Sequence, residues 1–363
     1  MKKIGILFVA MAMFACSGNQ GYTIKINMPE FAGNNVVLKQ NVDGEMVSLD
    51  SVVLDSLGAG VISGKIKAPE MMYLATSANG RSLALFMDNF NYTVSGSNAD
   101  VSIEADGGPQ VEFNAYKESM KEFSEKQQEI VARYRMAEEA GMSQDSLEMI
   151  IGEYEEINDN RMAYDSSYIA ENPTVIALYL MRGMFYQLSE EELEQQLSNF
   201  DESLHKAPYY IFLNDHLQRM KNVRIGEKYV DFELPDTEGN PVKLSDYAEK
   251  GVLLIDFWAS WCGPCRRANP GVVKIYNEFK DKGFDIVGVS LDNSKDKWLE
   301  AIEADSLTWN HMSDVKGWKC EGAKLYAVAA IPATVLLDAE GTIIAKNLSE
   351  DELHAKLTEL LGE

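Results

Sequence analysis

The sequence predicts an α/β C-terminal part, preceded by an antiparallel β domain and a helical middle region, and three observations carry that expectation. Short runs with period-two alternation, separated by turn residues, fill residues 22–106. Residues 107–222 switch to apolar positions that recur every three or four residues. From residue 223 to residue 363, apolar strand-like runs alternate with helical stretches. A chain of 363 residues is long enough for two or three domains, each with its own core. Its formal net charge of -24 repels phosphates, which argues against a nucleic-acid partner. Anionic lipid is repelled too, so membrane contact requires a covalent anchor or a partner. The same acidity also serves solubility.

Residues 1–15 read as a signal peptide: Lys2 and Lys3, an apolar run from Ile4 to Phe14, then small Ala15. The run is too short to span a bilayer. Met13-Phe14-Ala15-Cys16 resembles the cleavage box of bacterial lipoproteins. The resemblance implies that Cys16 becomes a lipidated N-terminus, with residues 16–21 as a flexible tether. Phe14 is bulkier than the box usually carries, so ordinary signal cleavage stays open as the alternative. By resemblance to lipoprotein sorting rules, a tether without an acidic residue implies a periplasm-facing protein of the outer membrane.

Within residues 22–106, Tyr22-Ile24-Ile26 alternates with polar residues. Further strands are expected over 36–39, 47–54, 60–66, 72–76, 83–87 and 92–95, with turns at Gly33-Asn34-Asn35, Asp43-Gly44, Asn79-Gly80 and Asp88-Asn89. An antiparallel sandwich or open barrel follows. In the helical region Phe113, Tyr116, Met120 and Phe123 form one stripe, and Leu147, Ile150, Ile151 and Tyr154 another. Such stripes usually face a core. Ser189 followed by three glutamates reads as an N-cap with an acidic first turn. His205 and His216 have no metal-site spacing and read as surface or packed helix residues. The region is expected to space, cover or dimerise the domain that follows, which makes a homodimer one partner expectation.

The chemistry concentrates at Gly251 to Pro270. Val252 to Phe257 is an apolar run rich in branched residues, the pattern of a buried parallel strand, and Cys262 and Cys265 follow where a helix should begin. Unpaired N–H groups and the positive end of the helix dipole favour a thiolate there, so Cys262 is the candidate nucleophile. Cys265, three residues on, lies on the same helical face and can close a small disulfide as the resolving thiol. Half of a zinc site is the competing reading of the pair. Cys16 and Cys320 form no second such pair and the four histidines are scattered, so no metal is expected. Asp256 interrupts the apolar strand, which predicts a buried carboxyl with a raised pKa.

Asp256-Phe257-Trp258-Ala259-Ser260-Trp261-Cys262-Gly263-Pro264-Cys265 resembles the active-site segment of thioredoxin. From Gly226 to the end the chain is similar to the TlpA and ResA group of secreted thiol-disulfide oxidoreductases. That resemblance implies a thioredoxin-like α/β sandwich over residues 223–363, opened by a β-hairpin around Asp236-Thr237-Glu238-Gly239-Asn240 and carrying a kinking Pro270 in the catalytic helix. It makes Cys262–Cys265 the redox-active disulfide, which needs no cofactor, and has Asp256 assist proton removal from Cys265. Satisfaction of Asp256 by a nearby hydroxyl or lysine is the structural alternative. Trp261, Gly263 and Pro264 would border the substrate, and Ile331-Pro332 resembles the cis-proline loop that pairs with an extended peptide. Gly263-Pro264 is the dipeptide of reducing thioredoxins. Pro264 equally suits plain helix initiation. Residues 22–106 resemble the domain of unknown function that precedes thioredoxin-like domains in Bacteroidetes lipoproteins.

The leading functional expectation is a lipid-anchored periplasmic enzyme that reduces protein disulfides, with apocytochrome or misoxidised envelope proteins as substrates. The resemblance implies recharging by a membrane electron donor of the DsbD or CcdA type. A thiol peroxidase and a ligand-binding lipoprotein that uses the fold as scaffold are the alternatives. Cys320 lies at the expected start of a helix near Lys316 and Lys319, which raises a third, exchangeable thiol against the commoner case of a buried small hydrophobe.

Overall fold

The computed structural model describes residues 21–42, 44–76, 82–97 and 100–362. The expected signal peptide, Cys16, most of the tether, Asp43, Asn79 and Gly80 lie outside the described residues. Two compact units result. Residues up to Leu180 together with 201–209 form one, and residues 181–200 together with 210–363 the other.

Among its described residues the first unit holds eight strands: β1 Tyr22–Asn27, β2 Asn35–Val42, β3 Glu45–Val53, β4 Ala59–Gly64, β5 Glu70–Thr76, β6 Ser82–Met87, β7 Asn91–Gly96 and β8 Val101–Ala105. They form two four-stranded sheets in the orders β4-β1-β7-β8 and β3-β2-β5-β6. Alternation decides which side chains meet: Ile24, Ile26, Ile62 and Val94 from one sheet share a core with Val36, Leu38, Leu74 and Leu85 from the other. The domain is mainly antiparallel, but β1 and β7 run parallel, and β8 adds a strand beyond those expected. The β3–β4 turn shows local chemistry at work. The Asp55 carboxylate accepts from the N–H groups of Leu57 and Ala59, while Gly58 takes a left-handed φ of 77° with no room for a side chain against Met28.

Helices α1 Pro109–Ser119, α2 Lys121–Glu139, α3 Gln144–Glu171 and α4 Val175–Met184 follow. The first expected stripe, over α1 and the start of α2, buries Phe113, Tyr116 and Met120 and half-buries Phe123. The second, on α3, buries Ile150 and half-buries Leu147 but leaves Ile151 and Tyr154 exposed, because the residues packed on α3 cover a narrower face than the stripe. Buried Asp165 accepts from Tyr116 Oη at 2.6 Å and from Arg161 at 2.7 Å, so its charge is paired inside the bundle. α5 Glu190–Leu197 is capped by Ser189, which accepts from the Glu192 N–H, and α6 Pro208–Asn222 completes the region. The division of the chain departs from a break at residue 222. Residues 181–200 and 210–222 group with the C-terminal part, where Phe185 and His216 line one cavity with Tyr326 and Ala333.

The C-terminal part opens with the expected hairpin of β9 Glu233–Pro235 and β10 Pro241–Lys243. Its main elements are β11 Val252–Trp258, α7 Gly263–Phe279, β12 Phe284–Ser290, α8 Lys295–Ala304, β13 Asn310–Met312, α9 Glu321–Leu325, β14 Ala333–Leu337, β15 Ile343–Lys346 and α10 Glu350–Leu361. The five-stranded sheet has the order β13-β12-β11-β14-β15. β11 is parallel to β12 and antiparallel to β14, and all seven of its residues are buried. A strand covered on both faces needs the continuous apolar run that the sequence shows. The result is the thioredoxin-like α/β sandwich.

Candidate active site

Strand β11 ends at Trp258, and a short loop delivers Cys262 to the N-cap of α7. Cys262 and Cys265 form a disulfide with a Cα–Cα separation of 5.3 Å. The Cys262 sulfur accepts from the Cys265 N–H at 3.1 Å, so it occupies the place of a capping oxygen at a helix N-terminus. That position favours negative charge on Cys262 once the disulfide opens. Both cysteines are buried, at 4% and 2% exposure. The accessible surface around them belongs to Trp261, which is 51% exposed, and to the exposed Gly263, Pro264 and Pro332.

Asp256 lies on β11 opposite Thr334 of β14, and Phe257 opposite Ala333. This antiparallel register carries the Ile331–Pro332 peptide, which is cis, to the dithiol. Asp256, Cys265 and Pro332 line one cavity of about 270 Å³ together with Asn347 and Leu353. No side chain among the described residues hydrogen-bonds the Asp256 carboxyl, and burial alone pushes its pKa up to about 7. The alternative of a carboxylate satisfied by a hydroxyl or lysine therefore has no partner in the structure. Ile331 packs against the core, which leaves the loop backbone and Pro332 as the part that faces outward.

Cys320 matches the commoner reading, a buried small hydrophobe, and not the exchangeable third thiol. It caps α9, as expected, but it is 0% exposed and in no disulfide, and burial pushes its thiol up to about 11. The N–H groups of Ala323 and Gly322 pull the other way without compensating, and the charge facing the thiol is Asp314, not a lysine. Desolvation outweighs one short helical turn. No cluster of His, Cys, Asp or Glu among the described residues could hold a metal ion.

Sequence reasoning missed the frame that holds the loop. Asp292, 1% exposed, follows β12 and accepts from the Ser260 N–H at 2.9 Å, from Ser260 Oγ at 2.5 Å and from Ser290 Oγ at 2.8 Å. Asp305, at the end of α8, accepts from Arg266 at 2.5 and 2.8 Å and from Asn269 at 2.6 Å, and Arg266 also donates to the Ser260 carbonyl. Burial works against ionisation of Asp305, but the Arg266 and Asn269 hydrogen bonds outweigh it and hold its carboxyl below the usual range. Polar Ser290 and Asp292 at the end of an apolar strand are the same signal that marked Asp256.

Residues 225–346 match the AhpC/TSA family, and residues 22–112 match the domain of unknown function DUF4369. The chain is 30% identical over 130 residues to thiol-disulfide oxidoreductase ResA of Bacillus cereus, spanning 36% of this chain and 73% of that one. It is 33% identical over 147 residues to ResA of Oceanobacillus iheyensis, spanning 39% and 74%. A solved thiol-disulfide oxidoreductase from Bacteroides fragilis shares 37% identity and covers 37% of this chain and 100% of its own, with a TM-score of 0.35. With a sandwich built around β11, a disulfide at the start of α7 and relatives matched over most of their own length, the chain belongs to the ResA/TlpA-type thiol-disulfide oxidoreductases.

Proposed function

We propose that Cys262 and Cys265 are the redox centre through which this oxidoreductase reduces disulfides of extracytoplasmic proteins, held at the membrane by lipid on Cys16. The observation that carries the reading is the disulfide at the α7 N-terminus with Asp256 beside Cys265 in one cavity. In the reduced protein the Cys262 thiolate attacks one sulfur of a substrate disulfide. A Cys262–substrate bond forms, the substrate S–S bond breaks, and the second substrate sulfur leaves as a thiolate that takes a proton from water. Cys265 then gives its proton to the Asp256 carboxylate and attacks Cys262. The mixed disulfide breaks, the released sulfur takes the proton that Asp256 holds, and the substrate leaves with two thiols while Asp256 returns to the carboxylate. A carboxyl that titrates near neutrality suits this transfer, since an ordinary Asp is too weak a base for a thiol.

Gly263 and Pro264 support the reducing direction through the resemblance to reducing thioredoxins, and Trp261, Pro332 and the Ile331 backbone form the substrate-facing rim. The oxidised pair must be recharged, and the family resemblance supports a membrane donor of the DsbD or CcdA type. An outer-membrane location rests on the tether sequence and a homodimer on the helical stripes; apocytochromes and misoxidised envelope proteins are the substrates in view. The test is insulin-disulfide reduction by the mature protein against its Cys262→Ser variant: activity in the first and none in the second is expected, and equal rates would sink the assignment.

A further inference from the structure

A second cavity, of about 370 Å³, adjoins the first across Pro332, Thr334 and Asn347, which line both. Its lining combines residues before the family match, among them Phe185, Tyr186 and His216, with Lys346 of β15. Two polar groups there lack hydrogen-bond partners among the described residues. Lys346 is partly buried and forms no ion pair or hydrogen bond among the described residues; it feels the charge of Glu190, which is itself clasped in a fork by Arg224. His216 is 6% exposed, touches the Phe185 ring edge-on and makes no hydrogen bond among the described residues. Burial drives its imidazole down to about 4, so it stays neutral and offers one N–H to the cavity at physiological pH. The charged side chains of the lining, Glu190, Arg224 and Lys346, sum to one positive charge on a chain of net charge -24.

We infer that this cavity is a specificity subsite that takes an acidic side chain of the substrate polypeptide, close in sequence to the cysteine being reduced, on Lys346 and His216. The inference rests on the reductase reading above. Its position follows from Pro332: a peptide laid along that loop to reach Cys262 continues over Thr334 and Asn347, into the mouth of this cavity. A carboxylate there supplies the charge that Lys346 lacks and the acceptor that His216 lacks. Water leaves with its entry, which strengthens both contacts. The acidic surface elsewhere repels such a peptide, so the cavity selects the residue and not merely the charge of the whole substrate.

The test uses the mature full chain and end-blocked disulfide peptides in which one position, scanned over the three residues on either side of the cysteine, is Glu or Gln. The readout is the ratio of kcat/KM for the Glu and Gln members of each pair. A preference of about fivefold for Glu at one or two positions is expected, the size of one half-buried charge pair. The ratio should fall to about one in Lys346→Gln and persist in Lys346→Arg. A ratio near one at every position in the unmodified protein, with the peptides reduced, overturns the subsite and leaves the reductase reading intact. A ratio that survives Lys346→Gln also overturns it. If neither the peptides nor insulin are reduced, the reductase reading falls and takes the subsite with it.

Discussion

Replacing Asp256 by Asn should stabilise the C-terminal unit, and by an amount that depends on pH. The Asp256 carboxyl is buried and its pKa rises from 3.8 to about 7 through desolvation. In the unfolded chain the group ionises near its ordinary value, so between roughly pH 4 and 7 the folded state binds the extra proton. The contribution of the group to stability is thus fully present below the unfolded value and is lost as pH rises through the folded one. A rise of about three pH units at 1.36 kcal/mol each makes the loss about 4 kcal/mol at most. The carboxamide of the variant cannot ionise and lacks this term, so its advantage should be small near pH 4, grow through pH 7 and level off above. All five tryptophans, Trp258, Trp261, Trp298, Trp309 and Trp318, lie in the C-terminal unit. Urea titrations of the oxidised full chain, followed by tryptophan fluorescence at several pH values between 4.5 and 8.5, report on that unit. A difference between the two proteins that stays constant with pH, or shrinks as pH rises, would refute the reasoning. The same substitution should slow the resolving step, seen as accumulation of mixed disulfide during turnover.

Cys265→Ala should trap substrate proteins covalently on Cys262, because attack remains and resolution is lost; reductant-sensitive adducts by mass spectrometry check this, and none beyond those of the double cysteine variant would contradict the roles. Cys320 should resist thiol labelling in the folded oxidised protein, since its thiol is fully buried and pushed up to about 11; labelling at the rate of global unfolding is expected, and faster labelling would restore the exchangeable third thiol. Asp292→Ala strands the donors of Ser260 and Ser290 in a buried site and should cost about 1–3 kcal/mol in the tryptophan-detected transition. An unchanged midpoint would show that the loop is held by other means.

What the sequence shows well is chemistry that is local. Strand β11, the cysteine pair, the start of α7 and the raised pKa of Asp256 all follow from neighbours within about ten residues. The supports of the loop do not, because Ser260 meets Asp292 and Arg266 meets Asp305 across separations of 32 and 39 residues, which only the fold closes. Cys320 shows the same limit from the other side. Its helix position and nearby lysines were visible in the sequence, but the burial that reverses their effect comes from residues folded over it. The membership of α5 and of most of α6 in the C-terminal unit was equally hidden, since amphipathic stripes tell that a helix packs but not what it packs against. The cavity with Lys346 and His216 joins residues far apart in the chain, so no motif could announce it.

The side-chain hydrogen bonds that frame the site are made to its loop and helix and not to its sulfurs. Asp292 grips the backbone and hydroxyl of Ser260, and Asp305 grips Arg266 and Asn269, while the Cys262 sulfur accepts from a backbone N–H within the first turn of α7. Opening the disulfide therefore breaks no strut. The charge on Cys262 can appear and disappear while its frame stays still, and each turnover begins with the donors already aimed. A pair whose supporting side chains do not pass through its own sulfurs can be cut and remade without those hydrogen bonds having to be rebuilt.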